Sequence, residues 1–350
     1  MKTINVGING LGRIGRLVLK KILENSKFNL KVCNDINSDP NNIAYLLNFD
    51  TIYGQPKHKF KIKNNCLVNK KSNIALFSKK NIKMVDWRKF GIDYLIDCSG
   101  VNENVKYSKQ VLKDNKLKNI FISHSPKEVD FHMILGVNES EYEKKRHKII
   151  SSSICDSTAI APVLKIINEK YNIINGSVTT VHPALNYQNL LDNKCISWAD
   201  PKNYFNTYSL GRSSIGNIIP KNTSAMQAVC QAYKGIKIQD FISFSYRTEN
   251  IIVASADITL NILKKTKLED ILTTLRNYER KQKFKIIKNI YDPLVSLDYK
   301  GSEFSANVDN RWTQLNKNTL KIVLWYDNEF GYSSNLVTQI LYINKLNYND

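Results

Sequence analysis

The 350-residue chain has no apolar run near the roughly 20 residues that a membrane-spanning helix needs. Its first residues, MKTINVGINGLGRIG, lack the continuous apolar segment and the small-residue cleavage site of a signal peptide. We therefore expect a cytoplasmic protein that is neither exported nor bound to a membrane.

Paired cysteine motifs are missing as well. The six cysteines form no C-x-x-C pair, and no cysteine or histidine spacing suits zinc, so we expect no metal. Without an export signal they are most simply free thiols that behave as small apolar residues. Cys155 is the candidate exception, because it stands where the serine-rich end of a strand, SSSIC, gives way to an apolar-periodic run.

Acidic residues are scarce relative to basic ones. The chain has 31 Asp and Glu against 51 Lys and Arg, which gives a formal net charge of +20. Lysines are spread along the chain and no compact arginine-rich block occurs, so we do not expect nucleic acid as the main partner. A basic surface would help to draw in anionic substrates.

The first part of the chain alternates strand and helix patterns. A strand over INVGIN, a helix over RIGRLVLKKILEN and a strand over FNLKVCND form a βαβ unit. Buried-type strands follow at 92–100 and 118–125. We predict an α/β, Rossmann-type domain over residues 1–154, with a doubly wound parallel sheet.

After Cys155 the pattern changes to one helix, about 157–171, and then to long alternating strands. GSVTTVHPAL, QDFISFSYRT and NIIVASADITLNIL have few helices between them, which favours an α+β domain with a mostly antiparallel sheet. We assign residues 155–334 to this second, catalytic domain.

A G-x-G-x-x-G triplet, Gly10, Gly12 and Gly15, joins the first strand to the first helix. Such glycines let the backbone approach a pyrophosphate at the helix N-terminus. Asp35 follows about 20 residues later, where a carboxylate binds both ribose hydroxyls and repels a 2′-phosphate. The sequence therefore predicts NAD as the cofactor.

The residues around Cys155 point in two directions. A thiol at a helix start is poised to ionise, whereas the carboxylate of Asp156 beside it opposes ionisation. His182 ends a β-branched strand and is either a structural histidine or the base that a nucleophilic cysteine needs. Arg247, in SFSYRTEN, is either a surface cation or an anchor for an anion.

Three stretches, INVGINGLGRIGRLVLK, NIIP with Thr223 beyond it, and WYDNEFGYS, resemble the phosphorylating glyceraldehyde-3-phosphate dehydrogenase family. The resemblance covers nearly the whole chain, and VHPALNYQNLLD is more similar to the erythrose-4-phosphate dehydrogenases of the same group. It implies NAD-dependent oxidation of a small phosphorylated sugar aldehyde through a cysteine thioester. It also implies a homotetramer, with the terminal helix, 335–350, packed back on the first domain.

The resemblance assigns roles to individual residues. Cys155 would be the nucleophile and His182 its partner. The residues implied to contact the cofactor are Arg13 and Ile14 on the pyrophosphate and adenosine side, Asp35 at the adenine ribose, Ser123 near the nicotinamide and Asn328 at its carboxamide. The residues implied around the substrate and phosphate anions are Thr180, Thr223 and Arg247.

The nucleophile segment departs from the family's usual Ser-Cys-Thr-Thr-Asn, because Asp156 follows Cys155. Leu185 replaces a threonine that contacts phosphate, and Glu249 adds an anion near Arg247. Like charges about 5 Å apart repel by several kcal/mol at an effective dielectric of roughly 20, so we expect weak phosphorolysis. In the alternative, Asp156 turns away and caps the helix. A catalytically impaired NAD-binding protein and an RNA-binding protein remain as other classes.

Overall fold

A computed structural model of the chain describes residues 3–197, 199–200, 203 and 207–348. The described residues form two compact units. The first comprises residues 3–132, 142–152 and 336–348, and the second 133–141 and 153–335. Residues 133–141, inside the predicted first domain, thus group with the second unit. Among the described residues, no helix is long and apolar enough to cross a membrane.

The first unit is built on a nine-stranded sheet in the order β3-β4-β5-β2-β1-β6-β7-β9-β8. The pairs from β5 to β8 are all parallel, and β3 and β4 add an antiparallel edge. The strands are β1 (Ile4–Asn9), β2 (Phe28–Asn34), β3 (Lys61–Lys63), β4 (Cys66–Val68), β5 (Asn73–Phe77), β6 (Tyr94–Asp97), β7 (Asn119–Ile122), β8 (Phe131–His132) and β9 (Ile149–Ser151). The predicted Rossmann-type sheet is confirmed.

The central strands of this sheet are apolar on both faces, as parallel strands covered by helices must be. β6 and β7 are buried at every position, and their side chains join a core around the fully buried Trp87. The helices of the first unit are α1 (Arg13–Glu24), α2 (Pro40–Asn48), α3 (Asn102–Asp114) and the second part of α7 (Phe330–Tyr348).

Three polar side chains tie the ends of the central strands together. Asn34 donates to the side-chain oxygen of Asn9, and Asn9 donates to Asp97, each at 2.8 Å. These side chains are buried, and burial raises the pKa of Asp97. The ladder fixes the carboxyl ends of β2, β1 and β6 at one edge, where ligands bind in open α/β sheets.

The second unit contains an eight-stranded sheet in the order β11-β12-β10-β13-β17-β15-β14, with β16 paired to β17. The strands are β10 (Ile173–Pro183), β11 (Ile219–Lys221), β12 (Phe241–Thr248), β13 (Ala254–Ile262), β14 (Ile287–Ile290), β15 (Ala306–Asp309), β16 (Gln314–Asn316) and β17 (Thr319–Tyr326). Most pairs are antiparallel, as predicted, but β10 pairs with β12 in parallel, as β14 does with β15.

Among the described residues, three α-helices lie wholly within the second unit, together with the first part of α7: α4 (Cys155–Tyr171), α5 (Ala225–Ala232) and α6 (Leu268–Lys281). α4 begins at Cys155, two residues before the predicted start at 157, and is buried along most of its length. It contacts β10, β13 and β17, so the first turn of α4 is held against the sheet that carries His182.

We expect the central strand β13 to contribute heavily to the stability of the second unit. Ile258 is fully buried between β10 and β17, so Ile258→Ala should lower the free energy of unfolding by about 2–5 kcal/mol. Ile242→Ala on β12, in the same sheet, removes the same atoms from a side chain that is 76% exposed, and should change the free energy of unfolding by less than about 0.5 kcal/mol. Urea denaturation followed by circular dichroism measures both, and equal effects would contradict this account.

Candidate active site

The turn before α4 aims Cys155. Ser153 adopts a left-handed backbone conformation, φ +59°, which is uncommon for a residue with a side chain. Its hydroxyl lies 2.6 Å from that of Ser157, and its carbonyl accepts a 3.0 Å hydrogen bond from the Tyr332 hydroxyl. The Ser157 hydroxyl also accepts from the N–H of Ile154 at 3.2 Å. These bonds hold the strained turn and fix the sulfur at the first position of the helix.

Cys155 and His182 meet, although 27 residues separate them in the chain. The Cys155 Sγ lies 3.7 Å from the His182 Nε2. The other ring nitrogen, Nδ1, lies 2.9 Å from the carbonyl oxygen of Pro183. Since that oxygen can only accept, the contact favours the tautomer with the proton on Nδ1. The Nε2 lone pair then faces the thiol.

Asp156 does not turn away to cap α4. Its Oδ1 lies 3.6 Å from the Cys155 Sγ and 3.9 Å from the His182 Nε2. The hydroxyl of Tyr326, at the end of β17, donates a 2.8 Å hydrogen bond to the same oxygen. The carboxylate is therefore buried within the reactive group, and the capping alternative is wrong.

The parallel pairing of β10 with β12 brings a cation to the histidine. In this register Thr180 is opposite Ser245, and His182 is opposite Arg247. The Thr180 hydroxyl donates a 2.8 Å hydrogen bond to the Ser245 hydroxyl, and an Arg247 nitrogen donates to the Ser245 hydroxyl at 3.5 Å. Arg247 is buried, and its Nε has no hydrogen-bond partner among the described residues, so this group could bind an anion.

The two threonines predicted around the anion pockets make hydrogen bonds within the protein. Thr180 is fully buried and uses its hydroxyl on Ser245. Thr223 is half-buried and accepts from the N–H of Ala225 at 3.1 Å, at the start of α5. Of the three predicted anion-binding residues, the structure brings Arg247 beside His182.

Burial and neighbouring charges set the protonation of this group. Burial, and then the Asp156 carboxylate, raise the pKa of the Cys155 thiol well above its ordinary value, while Arg247 acts in the opposite direction. Burial, and then Arg247, lower the pKa of His182 to about 4. Near neutral pH the resting pair is therefore a thiol beside a neutral imidazole.

The glycine loop of the first unit leaves its helix N-terminus open. A Cβ on Gly15 would lie 1.9 Å from the carbonyl oxygen of Gly10, so α1 packs directly against the loop. A Cβ on Gly12 would meet nothing within 4 Å, and no side chain caps α1 within the described chain. This open cradle of backbone N–H groups fits a pyrophosphate.

Asp35 lies beside this loop. Its carboxylate accepts from the N–H of Leu11 at 2.5 Å and from that of Asn37 at 2.8 Å, which holds it at the carboxyl end of β2. A cavity of about 460 Å³ adjoins it, lined by residues that include Asn37, Ser38, Pro40 and Phe77. The carboxylate and the cavity fit the ribose and the base of an adenine nucleotide.

The other predicted cofactor residues lie at the ends of these elements. Arg13 pairs with Asp50 at 2.9 Å, and Ile14 follows it in the first turn of α1, half-buried. Ser123 stands just after β7, its N–H bonded to the carbonyl of Asp97. In the second unit, Asn328 accepts a 3.1 Å hydrogen bond from the N–H of Val253, which has a φ of +70°.

Two residues near Cys155 were not predicted from the sequence. Tyr326 is 170 residues from the carboxylate that it binds, and no local pattern links the two. Lys221, at the end of β11, is half-buried; burial, and then Arg247, lower its pKa to about 8. The sequence feature that could have indicated Lys221 is the stretch NIIPK, which precedes Thr223.

Comparison with known families covers both units. The NAD-binding domain of glyceraldehyde 3-phosphate dehydrogenase matches residues 4–105, and the C-terminal domain of the same enzyme matches residues 154–328. The chain belongs to the glyceraldehyde 3-phosphate dehydrogenase family. The predicted family, its NAD cofactor and its class as an oxidoreductase are thereby confirmed.

Individual relatives match over their full length at modest identity. A glyceraldehyde-3-phosphate dehydrogenase of Agaricus bisporus is 31% identical over 98% of this chain and 100% of its own length. One of Geobacillus stearothermophilus is 30% identical over 97% of this chain and 98% of its own. The cytosolic enzyme of Mesembryanthemum crystallinum is 31% identical over 99% of both chains.

The glycine loop allows a matched pair of variants. Gly12→Ala places a methyl group in the open cradle, so it should leave the thermal midpoint nearly unchanged while weakening NAD binding about tenfold or more. Gly15→Ala collides with the backbone of Gly10, so it should lower the midpoint as well. Calorimetric titration with NAD and thermal melts measure the two effects. Unchanged NAD affinity in the Gly12 variant would rule out a pyrophosphate there.

The carboxylate beside the sulfur should slow alkylation of Cys155. Because the pKa of the thiol is raised, its reaction with iodoacetamide should be slow at pH 7 and should rise steeply as the pH increases. Asp156→Asn removes the charge, so the rate at pH 7 should increase about tenfold for each unit by which the pKa falls. Peptide mass spectrometry reports modification at Cys155, and Glu303→Gln, at a partly exposed acid paired with Lys285, is the control for a lost negative charge elsewhere. An unchanged rate in the Asp156 variant would contradict the assigned electrostatics.

Proposed function

We propose that the protein oxidises a small phosphorylated sugar aldehyde with NAD through a thioester on Cys155. The observation that carries the proposal is the 3.7 Å approach of the Cys155 Sγ to the His182 Nε2 at the start of α4. A nucleophile within reach of a base that is itself oriented by a third group is the arrangement of covalent catalysis. The reverse reduction uses the same residues.

The first step uses the neutral pair directly. As the Cys155 sulfur bonds to the aldehyde carbon, the His182 Nε2 takes the thiol proton and the carbonyl π electrons move to oxygen. Backbone N–H groups at the start of α4 and the protonated imidazole stabilise this oxyanion. The imidazolium then gives its proton to the oxygen, which forms the hydroxyl of a thiohemiacetal and leaves His182 neutral. A high thiol pKa does not prevent the step, because proton transfer accompanies addition.

NAD, when bound, would supply the hydride acceptor for oxidation of the thiohemiacetal to a thioester. His182 takes the hydroxyl proton as the carbonyl re-forms, which is its second use as a base. The contact of its Nδ1 with the Pro183 carbonyl keeps Nε2 available each time. In the first unit, the glycine loop and Asp35 would bind the pyrophosphate and the ribose, and in the second the Asn328 amide would donate to the carboxamide.

We propose that water, rather than inorganic phosphate, releases the acid. Asp156 places a buried negative charge 3.6 Å from the sulfur, and an attacking phosphate would bring further negative charge to the same carbon. Water meets no such repulsion. Once His182 has passed the proton from the oxidation step to solvent, water adds to the thioester carbon and gives a proton to His182. The sulfur then leaves and takes up that proton, which restores the thiol and the neutral imidazole.

Arg247 supports an anionic substrate. It is buried, it lies opposite His182, and its Nε has no partner among the described residues. An unpaired buried guanidinium nitrogen is costly unless an anion binds it. We assign it to the substrate's phosphate or to the new carboxylate. Glyceraldehyde 3-phosphate and erythrose 4-phosphate are both candidate substrates.

A second candidate is an NAD-binding protein that has largely lost catalysis. The raised pKa of Cys155 and the buried Asp156 favour it, since both make the thiol a poorer nucleophile. The two candidates differ in turnover, because the second forms no NADH from either aldehyde.

Assembly and location are proposals as well. The relatives from Mesembryanthemum crystallinum and Dianthus caryophyllus are named as cytosolic enzymes. We propose a cytoplasmic homotetramer, following the family resemblance.

The role of Asp156 is tested by varying phosphate. We expect NADH formation from either aldehyde to change by less than about twofold when saturating inorganic phosphate is added. Asp156→Thr restores the hydroxyl usual in the family, so its rate should become phosphate-stimulated by about tenfold, which is about 1.4 kcal/mol at the transition state. Initial rates at 340 nm, with the acid and the acyl phosphate separated by chromatography, measure both.

Cys155→Ser is the control for the covalent step, and it should form no NADH while binding NAD normally. Strong phosphate dependence of the unaltered protein would overturn release by water. Absence of NADH with all aldehydes, in both directions, would favour the non-catalytic candidate.

A further inference from the structure

Three potential metal ligands converge at Cys155. The Cys155 Sγ, the Asp156 Oδ1 and the His182 Nε2 form a triangle with edges of 3.6, 3.7 and 3.9 Å. All three atoms lie within 4.8 Å of one another. The sequence predicts no metal because no local cysteine or histidine spacing occurs, but the fold assembles this group from two segments.

The triangle has the size of one face of a tetrahedral zinc site. With bonds of about 2.0–2.3 Å and tetrahedral angles, two ligand atoms on one Zn²⁺ lie about 3.3–3.6 Å apart. The two edges at sulfur are close to that range, and the edge from His182 to Asp156 must shorten by about 0.5 Å. Neither backbone segment has to move for a side-chain adjustment of this size.

Two further contacts orient the ligands in the way that metal sites require. Ligating histidines usually donate their other N–H to an oxygen, and ligating carboxylates are themselves hydrogen-bonded. The His182 Nδ1 lies 2.9 Å from the Pro183 carbonyl, and the Tyr326 hydroxyl donates to Asp156 at 2.8 Å. His182 and Asp156 are thus both held with their free electron pairs toward the sulfur.

We propose that Cys155, Asp156 and His182 bind one Zn²⁺ reversibly, with a water molecule as fourth ligand. A sulfur, a nitrogen and a carboxylate oxygen together favour zinc and similar borderline cations over Mg²⁺ or Ca²⁺. In the family's usual sequence a threonine follows the cysteine, and it would supply no anionic ligand at this position. Asp156 therefore completes the set of three metal ligands.

Binding replaces one proton by one metal ion. The S–H bond breaks, the proton passes to solvent buffer, and the sulfur's electron pair forms the bond to zinc, with no change of oxidation state. The thiolate and the carboxylate bring two negative charges, which offset the repulsion between the ion and the nearby Arg247 guanidinium. The bound sulfur cannot add to an aldehyde, so zinc protects the thiol and inhibits any turnover until a chelator removes it.

The site is tested on the full-length protein with Co²⁺ as a spectroscopic probe and Zn²⁺ as competitor. We expect one Co²⁺ per chain, with a thiolate-to-cobalt charge-transfer band and the intense visible bands of tetrahedral coordination, all abolished by Zn²⁺ and unaffected by Mg²⁺. Zn²⁺ should also protect Cys155 from iodoacetamide, and a chelator should restore its reactivity. The proposal does not depend on catalysis, because both readouts are independent of substrate. Absence of protection in the unaltered protein overturns it.

Variants assign the ligands. Asp156→Asn should weaken Zn²⁺ binding about 100-fold or more, and Tyr326→Phe, which removes only the outer hydrogen bond, about 10-fold. Cys155→Ser should abolish the charge-transfer band. Glu303→Gln, an equal charge change at a partly exposed acid that pairs with Lys285, should leave Zn²⁺ affinity unchanged. If the folded Asp156 and Tyr326 variants bind Zn²⁺ as tightly as the unaltered protein does, the assigned ligand set is excluded.

Discussion

A buried carboxylate, that of Asp156, held 3.6 Å from the Cys155 sulfur is the interaction on which the electrostatics of the candidate site depend. Such a charge is costly to bury without partners, and the structure supplies the hydroxyl of Tyr326 at the end of β17. Burial, and then this carboxylate, raise the pKa of the Cys155 thiol well above its ordinary value. His182 beside it has a pKa lowered to about 4, so near neutral pH it is neutral and able to accept a proton.

Much of the fold could be predicted from the sequence, because the strongest signals are local. The first βαβ unit carries strand, glycine turn, helix and a terminal acid within 35 residues, and both the sheet and the cofactor follow from it. The change to long alternating strands after Cys155 likewise predicts the second, mainly antiparallel sheet. The start of α4 at Cys155 and the short helix α5 were harder to predict from the sequence, since few residues define them.

The site was predictable only in part. The proximity of Cys155 and His182 is what the prediction of a nucleophile and its base requires. The position of Asp156 could not be predicted, because a residue in the first helical turn can point toward the sulfur or turn away and cap the helix. The hydroxyl that decides it belongs to Tyr326, whose approach depends on the packing of α4 against β17. Long-range contacts of this kind leave no periodic trace in a sequence.

The parallel register of β10 and β12 has a consequence for how such a chain can diverge. Side chains alternate between the faces of a strand, so loss or gain of one residue within either strand would turn His182 or Arg247 to the opposite face. Point substitutions leave this alignment intact. A substitution at the residue after Cys155 therefore leaves the pairing of His182 with Arg247 unchanged, whereas a change in the length of either strand does not.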